Sequence, residues 1–150
     1  MNVKSILCPV DFSDNSHFAL DYAVTIAKES DAELHIVHCY ADVLPYETGF
    51  GAAAVYETVD VDEEMARLKA IIPHDSKVRY RHTLIQGSPE KVLSEYAEEN
   101  EIDLIVMGTH GRKGLARLVM GSVAESVLRH APCPVITIRQ DAVKHAQSSA

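Results

Sequence analysis

No apolar run in this chain approaches the roughly 20 residues that span a bilayer as a helix. The opening "MNVKSILCPVDFS" has too short an apolar stretch for a secretory signal, and Pro9 and Asp11 interrupt it. A cytoplasmic protein is therefore expected, with no membrane partner. Cysteine is scarce. Cys8, Cys39 and Cys133 lie far apart without a CxxC, which excludes a disulfide framework or a zinc site and leaves reduced thiols. An excess of positive charge is missing as well: the net charge is −8 and the pI about 5.4. That balance argues against a nucleic-acid partner or an anionic membrane, but it allows a small basic pocket. The eight histidines are scattered. His35 and His38 stand three apart in an apparent strand, so they face opposite ways and make a poor metal pair.

What is present is a single domain's worth of chain, 150 residues with an ordinary 47% of hydrophobic side chains. "SILCPV" (5–10) reads as a buried strand. The following stretch carries Phe18, Ala19, Tyr22, Ala23, Ile26 and Ala27 at helical spacing, with Ser13 or Asp14 as N-cap. "AELHIVHCYA" (32–41) is a second strand. Residues 42–58 hold a proline, two glycines and no sustained period, and read as a long excursion. A helix over 61–72 stops at Pro73, and "KVRYRHTLIQG" (77–87) alternates like an edge strand. Ser88 as N-cap and Pro89 at the first helical position open a helix over 88–100. "IDLIVMG" (102–108) is a near-continuous apolar strand, 122–131 a helix and "CPVITIR" (133–139) a last strand. The end of the chain, about 140–150, reads as a frayed tail. Alternating strands and helices define an α/β fold: a doubly wound parallel sheet with helices on both faces, its ligand site beyond the carboxyl ends of the strands.

One loop departs from the acidic background. "GTHGRKGLARLVMGS" (108–122) places four glycines and the cations Arg112, Lys113 and Arg117 in fifteen residues. Its frame is Gly108-x2-Gly111-x9-Gly121-Ser122, with Gly114 inside. Gly108 lets the chain leave its strand without a side chain in a ligand's way. Gly121 and Ser122 stand at a helix mouth, where unpaired amides and the helix dipole favour anions. The spacing suits a polyphosphate. It is neither the Walker A loop, for lack of Gly-Lys-Ser/Thr, nor the dinucleotide GxGxxG. The bland alternative is a glycine-rich turn with solvated arginines.

The stretch "GTHGRKGLARLVMGSVAESVLRHAPCPVITIR" resembles the C-terminal signature of the universal stress protein family in its ATP-binding branch, and "ILCPVDFS" resembles that family's opening strand. The resemblance spans essentially the whole chain in one copy. It implies a five-stranded sheet in the order 3-2-1-4-5 and a homodimer paired through the last strand, about Val135 to Arg139. It also implies ATP, with Asp11 on the ribose hydroxyls, Pro9 and Val10 beside the nucleoside, and Val37 and Met107 flanking the adenine. Gly108, His110, Gly111, Gly121, Ser122 and Val123 would wrap the phosphates. Asp11 can equally be a helix N-terminal acid, and Met107 plain core packing. The phosphates would bring Mg²⁺ or Mn²⁺, which needs few protein ligands.

A phosphoryl-transfer enzyme also needs a metal-binding carboxylate, and no second acidic residue stands near the loop in sequence. His110 reads better as a phosphate hydrogen bond than as a base. The expectation is thus a nucleotide-dependent stress-response switch with absent or slow hydrolysis and no catalytic residues. The alternative is an ATP-using hydrolase or nucleotidyltransferase. A phospho-receiver is excluded, because no acceptor Asp ends the third strand and no Lys the fifth. The sequence identifies no protein partner.

Overall fold

The run Ser5–Pro9 forms strand β1, and its Ile6, Leu7 and Cys8 are wholly buried. That burial on both faces is why the strand reads as a continuous apolar run. The computed structural model describes residues 2–41, 43–46, 55–110 and 120–140. β1 lies between β2 (Glu33–Tyr40) and β6 (Leu104–Gly108); β5 (Tyr80–Gln86) flanks β2, and β7 (Val135–Ile138) flanks β6. All four pairings are parallel. Counted along this sheet alone, the order is 3-2-1-4-5, as the family resemblance implied.

Helices cover both faces. α1 (Asp14–Ser30) and α2 (Val61–Lys69) pack on Ile6, Cys8, Leu34, Ile36, Leu104 and Val106. α3 (Pro89–Glu99) and α4 (Ser122–His130) pack on Leu7, Val37, Ile105 and Met107. Among the described residues no helix is long and apolar enough to cross a membrane.

Several boundaries and faces depart from the sequence reading. The buried stripe of α1 is Ser16, Ala19, Leu20, Ala23, Val24 and Ala27, whereas Tyr22 is exposed. The small alanines at 19, 23 and 27 occupy the centre of the contact, so the aromatic residues expected there are displaced to its flanks. α2 ends at Lys69, short of Pro73, because the Ile71 amide turns back to the Leu68 carbonyl at 3.0 Å. Residues 77–79 belong to a turn held by Asp75, whose carboxylate accepts the Lys77 amide at 2.9 Å. The excursion after β2 contains an antiparallel pair, β3 (Val43–Tyr46) with β4 (Val55–Thr58). Strands of four residues show no period, and Pro45 argues against a strand except in an edge ribbon of this kind. The expected tail over 141–150 lies outside the described residues.

The two edges of the sheet differ in chemistry. On β5, Arg81 forms a two-pronged pair with Glu33 of β2 at 2.9 to 3.1 Å. Charged side chains of this kind blunt an edge. β7 presents "VITI", with Ile136 exposed.

Where β6 ends, the sheet meets α1 closely. A Cβ on Gly108 would stand 3.1 Å from the Asn15 carbonyl oxygen and 3.3 Å from its carbonyl carbon. Glycine lets the helix approach this strand closely, a reason distinct from clearing space for a ligand. Asn15 also donates its side-chain amide to the His110 carbonyl at 3.1 Å. We expect Gly108→Ala to lower stability by about 1–2 kcal/mol, because α1 would have to move outwards. Urea unfolding measures it, and an unchanged midpoint would show that α1 yields without cost.

Candidate functional site

All βα turns of a parallel sheet open at the same edge, so strand ends far apart in sequence converge there. At that edge the structure has a cavity of about 340 Å³, ample for part of a small ligand. Its walls come from Pro9, Val10 and Asp11 after β1, Val37, His38 and Cys39 of β2, and Met107 to His110 at the end of β6. Helix starts complete it: Ser16 of α1, Pro89 and Glu90 of α3, and Gly121 to Ala124 of α4. The cavity sits where the order turns from β1 to β6, the switch point at which doubly wound sheets hold ligands. It gathers every candidate residue among the described residues: Pro9, Val10, Asp11, Val37, Met107, Gly108, His110, Gly121, Ser122 and Val123. Gly111, with Arg112, Lys113, Gly114 and Arg117, lies outside the described residues.

The two ends of the glycine loop are fastened to each other. The Gly121 amide donates to the Thr109 carbonyl at 2.7 Å, and the Thr109 amide donates to Ile138 of β7 at 3.1 Å. Gly121 is the N-cap of α4 with φ −62° and ψ 154°, ordinary extended backbone. Its own angles therefore impose no need for glycine. Ser122 is the first residue of the helix, and its hydroxyl donates to Glu90 Oε1 at 3.1 Å.

Asp11 does two things at once. It lines the cavity, and its Oδ1 accepts the Ser13 amide at 3.0 Å and the Ser13 hydroxyl. Ser13 in turn caps α1 through the Ser16 amide at 3.3 Å. The reading of Asp11 as a helix-start acid thus has a geometric basis. Phe12 follows with φ 64°, a left-handed conformation that is uncommon for a bulky residue and swings the chain sharply from β1 into α1.

Behind Phe12 is a polar network. The Phe12 ring lies against His38 at 4.4 Å between centroids, and the Arg67 guanidinium sits 4.1 Å above the Phe12 centroid. His38 is buried, its Nδ1 2.7 Å from the Val10 carbonyl and its Nε2 2.8 Å from Glu64 Oε2. Both ring nitrogens thus face acceptor oxygens. Glu64 Oε1 also takes Arg67 at 3.1 Å. His35 faces the other way, as its spacing required. Burial first, then the Arg81 charge, lowers its pKa, and its Nδ1 bonds the Tyr96 hydroxyl at 2.8 Å.

Several lining groups escaped sequence reasoning, among them Cys39 and Glu90. Cys39 has its thiol pushed up to about 12, by burial and then by the Glu90 charge, so it stays neutral. Glu90 is held below the usual carboxylate range, chiefly by the Ser88 hydroxyl, which donates to Oε2 at 2.5 Å, and also by Ser122. Ser88 thus caps α3 by position but gives its hydroxyl to Glu90. A signal existed: "GSPE" follows a parallel strand, and each βα turn of such a sheet lands on the ligand edge.

The sheet order and the switch-point cavity define a doubly wound α/β domain with an open carboxyl edge. Residues 2–139 match the universal stress protein family, and this chain belongs to that family. A universal stress protein of Methanocaldococcus jannaschii is 37% identical over 142 residues, covering 91% of this chain and 82% of the relative. The solved structure of UspA from Lactobacillus plantarum matches with a TM-score of 0.70 at 29% identity, over 93% of this chain and 99% of that one. A universal stress protein in complex with cAMP matches at 0.68 and 24% identity, over 93% and 98%. The Archaeoglobus fulgidus protein in complex with dAMP matches at 0.62 and 24%, over 92% and 99%.

The His38 network makes a stability prediction. His38→Leu removes the ring's polar contacts with the Val10 carbonyl and Glu64 Oε2 and should cost about 1–3 kcal/mol. Adding Glu64→Gln should recover part of that loss, because a carboxylate left with Arg67 alone is replaced by a neutral amide. Urea unfolding of the two single variants and the double variant reads both effects, and strictly additive losses would show that the pair is uncoupled.

Proposed function

We propose that this protein binds ATP in the carboxyl-edge cavity and acts as a nucleotide-dependent regulatory protein of stress response, with hydrolysis absent or slow. One observation carries the reading. The start of α4, from Gly121 to Ala124, opens into a cavity whose inner wall is the apolar trio Val37, Leu93 and Met107. Helix-start amides favour phosphate and the apolar wall suits a base, so one cavity offers both ends of a nucleotide. The cAMP and dAMP of the two structural relatives are both adenine nucleotides, which favours adenine here.

In this reading Val37 and Met107 flank the adenine, Pro9 and Val10 lie beside the nucleoside, and Asp11 meets the ribose. Gly108, His110, Gly111, Gly121, Ser122 and Val123 surround the phosphates. Mg²⁺ or Mn²⁺ accompanies them. Among the described residues no group of three or more His, Cys, Asp or Glu could hold a metal ion. Mg²⁺ bound with phosphates keeps several waters and needs few protein ligands.

Calorimetry with ATP, GTP and AMP in Mg²⁺ tests the proposal, with ATP expected to bind best. Gly121→Val should remove ATP binding by filling the helix mouth, at a cap cost of about 1 kcal/mol. Circular dichroism should show the fold intact. No nucleotide binding at millimolar concentration, or normal ATP affinity in Gly121→Val, would overturn the reading. Sustained phosphate release over many turnovers would move it to a hydrolase.

The same proposal includes a homodimer through β7. The Pro134 and Ile138 carbonyls both bond towards β6, accepting from Ile105 at 3.0 Å and Thr109 at 3.1 Å. In a parallel pair such groups alternate along the strand, so Val135 and Thr137 direct their backbone groups to the outer edge. Antiparallel pairing with a second β7 would satisfy them about a two-fold axis. Thr137→Pro removes an outward donor without breaking a bond to β6. Light scattering should give a dimer for the parent and a monomer for the variant. A parent that stays monomeric at high micromolar concentration rules the dimer out.

A further inference from the structure

Glu90 brings an ionised carboxylate to the place where the phosphates are proposed to sit. It is the second residue of α3, and it lines the cavity beside the start of α4. Three bonds fix it. Ser88 Oγ donates to Oε2 at 2.5 Å, Ser122 Oγ donates to Oε1 at 3.1 Å, and Ser126 Oγ donates to its backbone carbonyl at 2.8 Å. The last bond ties the first turn of α3 to α4, while the two serine hydroxyls hold the carboxylate itself.

This placement changes what Ser122 can do. Its hydroxyl proton is committed to Glu90, so the oxygen presents lone pairs to the cavity. A phosphate oxygen wants a donor there, whereas a cation wants lone pairs. Glu90 Oε1 and Ser122 Oγ together offer two hard oxygen donors, the chemistry that Mg²⁺ and Mn²⁺ prefer. The backbone amides of α4 continue to favour phosphate at the same point. An anion drawn by the helix and a carboxylate fixed beside it can coexist when a divalent cation lies between them.

Resting on the ATP-binding reading above, we infer that Glu90 makes nucleotide binding depend on a divalent cation: its carboxylate opposes bare phosphates and shares the cation that accompanies them, with Ser122 Oγ as the neighbouring donor. Lys91, the next residue, is directed to Glu95 at 4.0 Å along α3. The thiol of Cys39 supplies a second view of the same charge, since Glu90 helps to keep it neutral. At an effective dielectric of about 20, unit charges about 5 Å apart repel by more than a factor of 100 in affinity. Solvent in an open cavity reduces that to about tenfold.

The test is calorimetric titration of the full chain with ATP, once in Mg²⁺ and once in EDTA. The parent should lose at least about tenfold in affinity without the metal. Glu90→Gln keeps the shape, its amide oxygen accepting one serine hydroxyl while its NH₂ donates to the other serine oxygen, so its loss should be under about threefold. Its gain should lie in metal-free ATP, which a merely structural role would not improve. Glu90→Asp, which keeps the charge, should retain most of the metal dependence, and it serves as the deciding comparison with the parent if Glu90→Gln does not fold. In that comparison the shortened side chain should weaken Mg²⁺-ATP more than metal-free ATP. The same Mg²⁺-to-EDTA ratio in all folded proteins overturns the role of Glu90 and leaves ATP binding intact. No ATP binding by any of them in either buffer overturns both.

Discussion

The 2.7 Å bond from the Gly121 amide to the Thr109 carbonyl holds the ligand edge together. It joins the exit of β6 to the entry of α4, so the chain between them leaves and returns at one point. Through Thr109 the same junction is tied to β7, and through Asn15 and the His110 carbonyl to α1. The first turn of α4 is thereby aimed into the cavity by the sheet itself. A helix start positioned this way keeps its dipole and its open amides fixed relative to the ends of β1 and β2, whatever the intervening loop contains.

Around that junction the charges are arranged in two tiers. Next to the cavity is Glu90, anchored by serines and ionised. Behind Phe12, buried His38 meets half-buried Glu64, which in turn pairs with exposed Arg67, and the three tie β2 to α2. His38 belongs to both tiers, because it lines the cavity and bonds the Val10 carbonyl. A net charge of −8 therefore says little about the site itself. Local placement, not the whole-chain balance, sets the field a ligand meets.

The architecture was legible because buried parallel strands leave an unmistakable mark. "SILCPV" and "IDLIVM" are apolar on both faces, and helical stretches of ordinary length separate the strands. The edge that carries the cavity was legible too, since strand ends and the glycine frame point to it. Glu90 was not, because 32 residues separate it from Ser122 and only the α3–α4 packing brings them together. The β3–β4 ribbon was hidden by its brevity and its proline. The buried face of α1 was misplaced because aromatic residues attract attention, while three alanines decide how closely that helix approaches. Role assignments within the cavity rest on chemistry rather than on pattern.

Gly108 and Gly121 look interchangeable in the sequence frame, yet they answer to different demands. The first is fixed by a neighbouring helix backbone 3.1 Å from where its Cβ would be. The second has backbone angles that any residue adopts. A descendant of this chain could therefore drift at position 121, and change or lose what enters the cavity, while the folded scaffold persisted. Drift at 108 would be purged for stability even where no ligand mattered. Evolution can treat occupancy of this cavity as a trait separable from the fold that surrounds it.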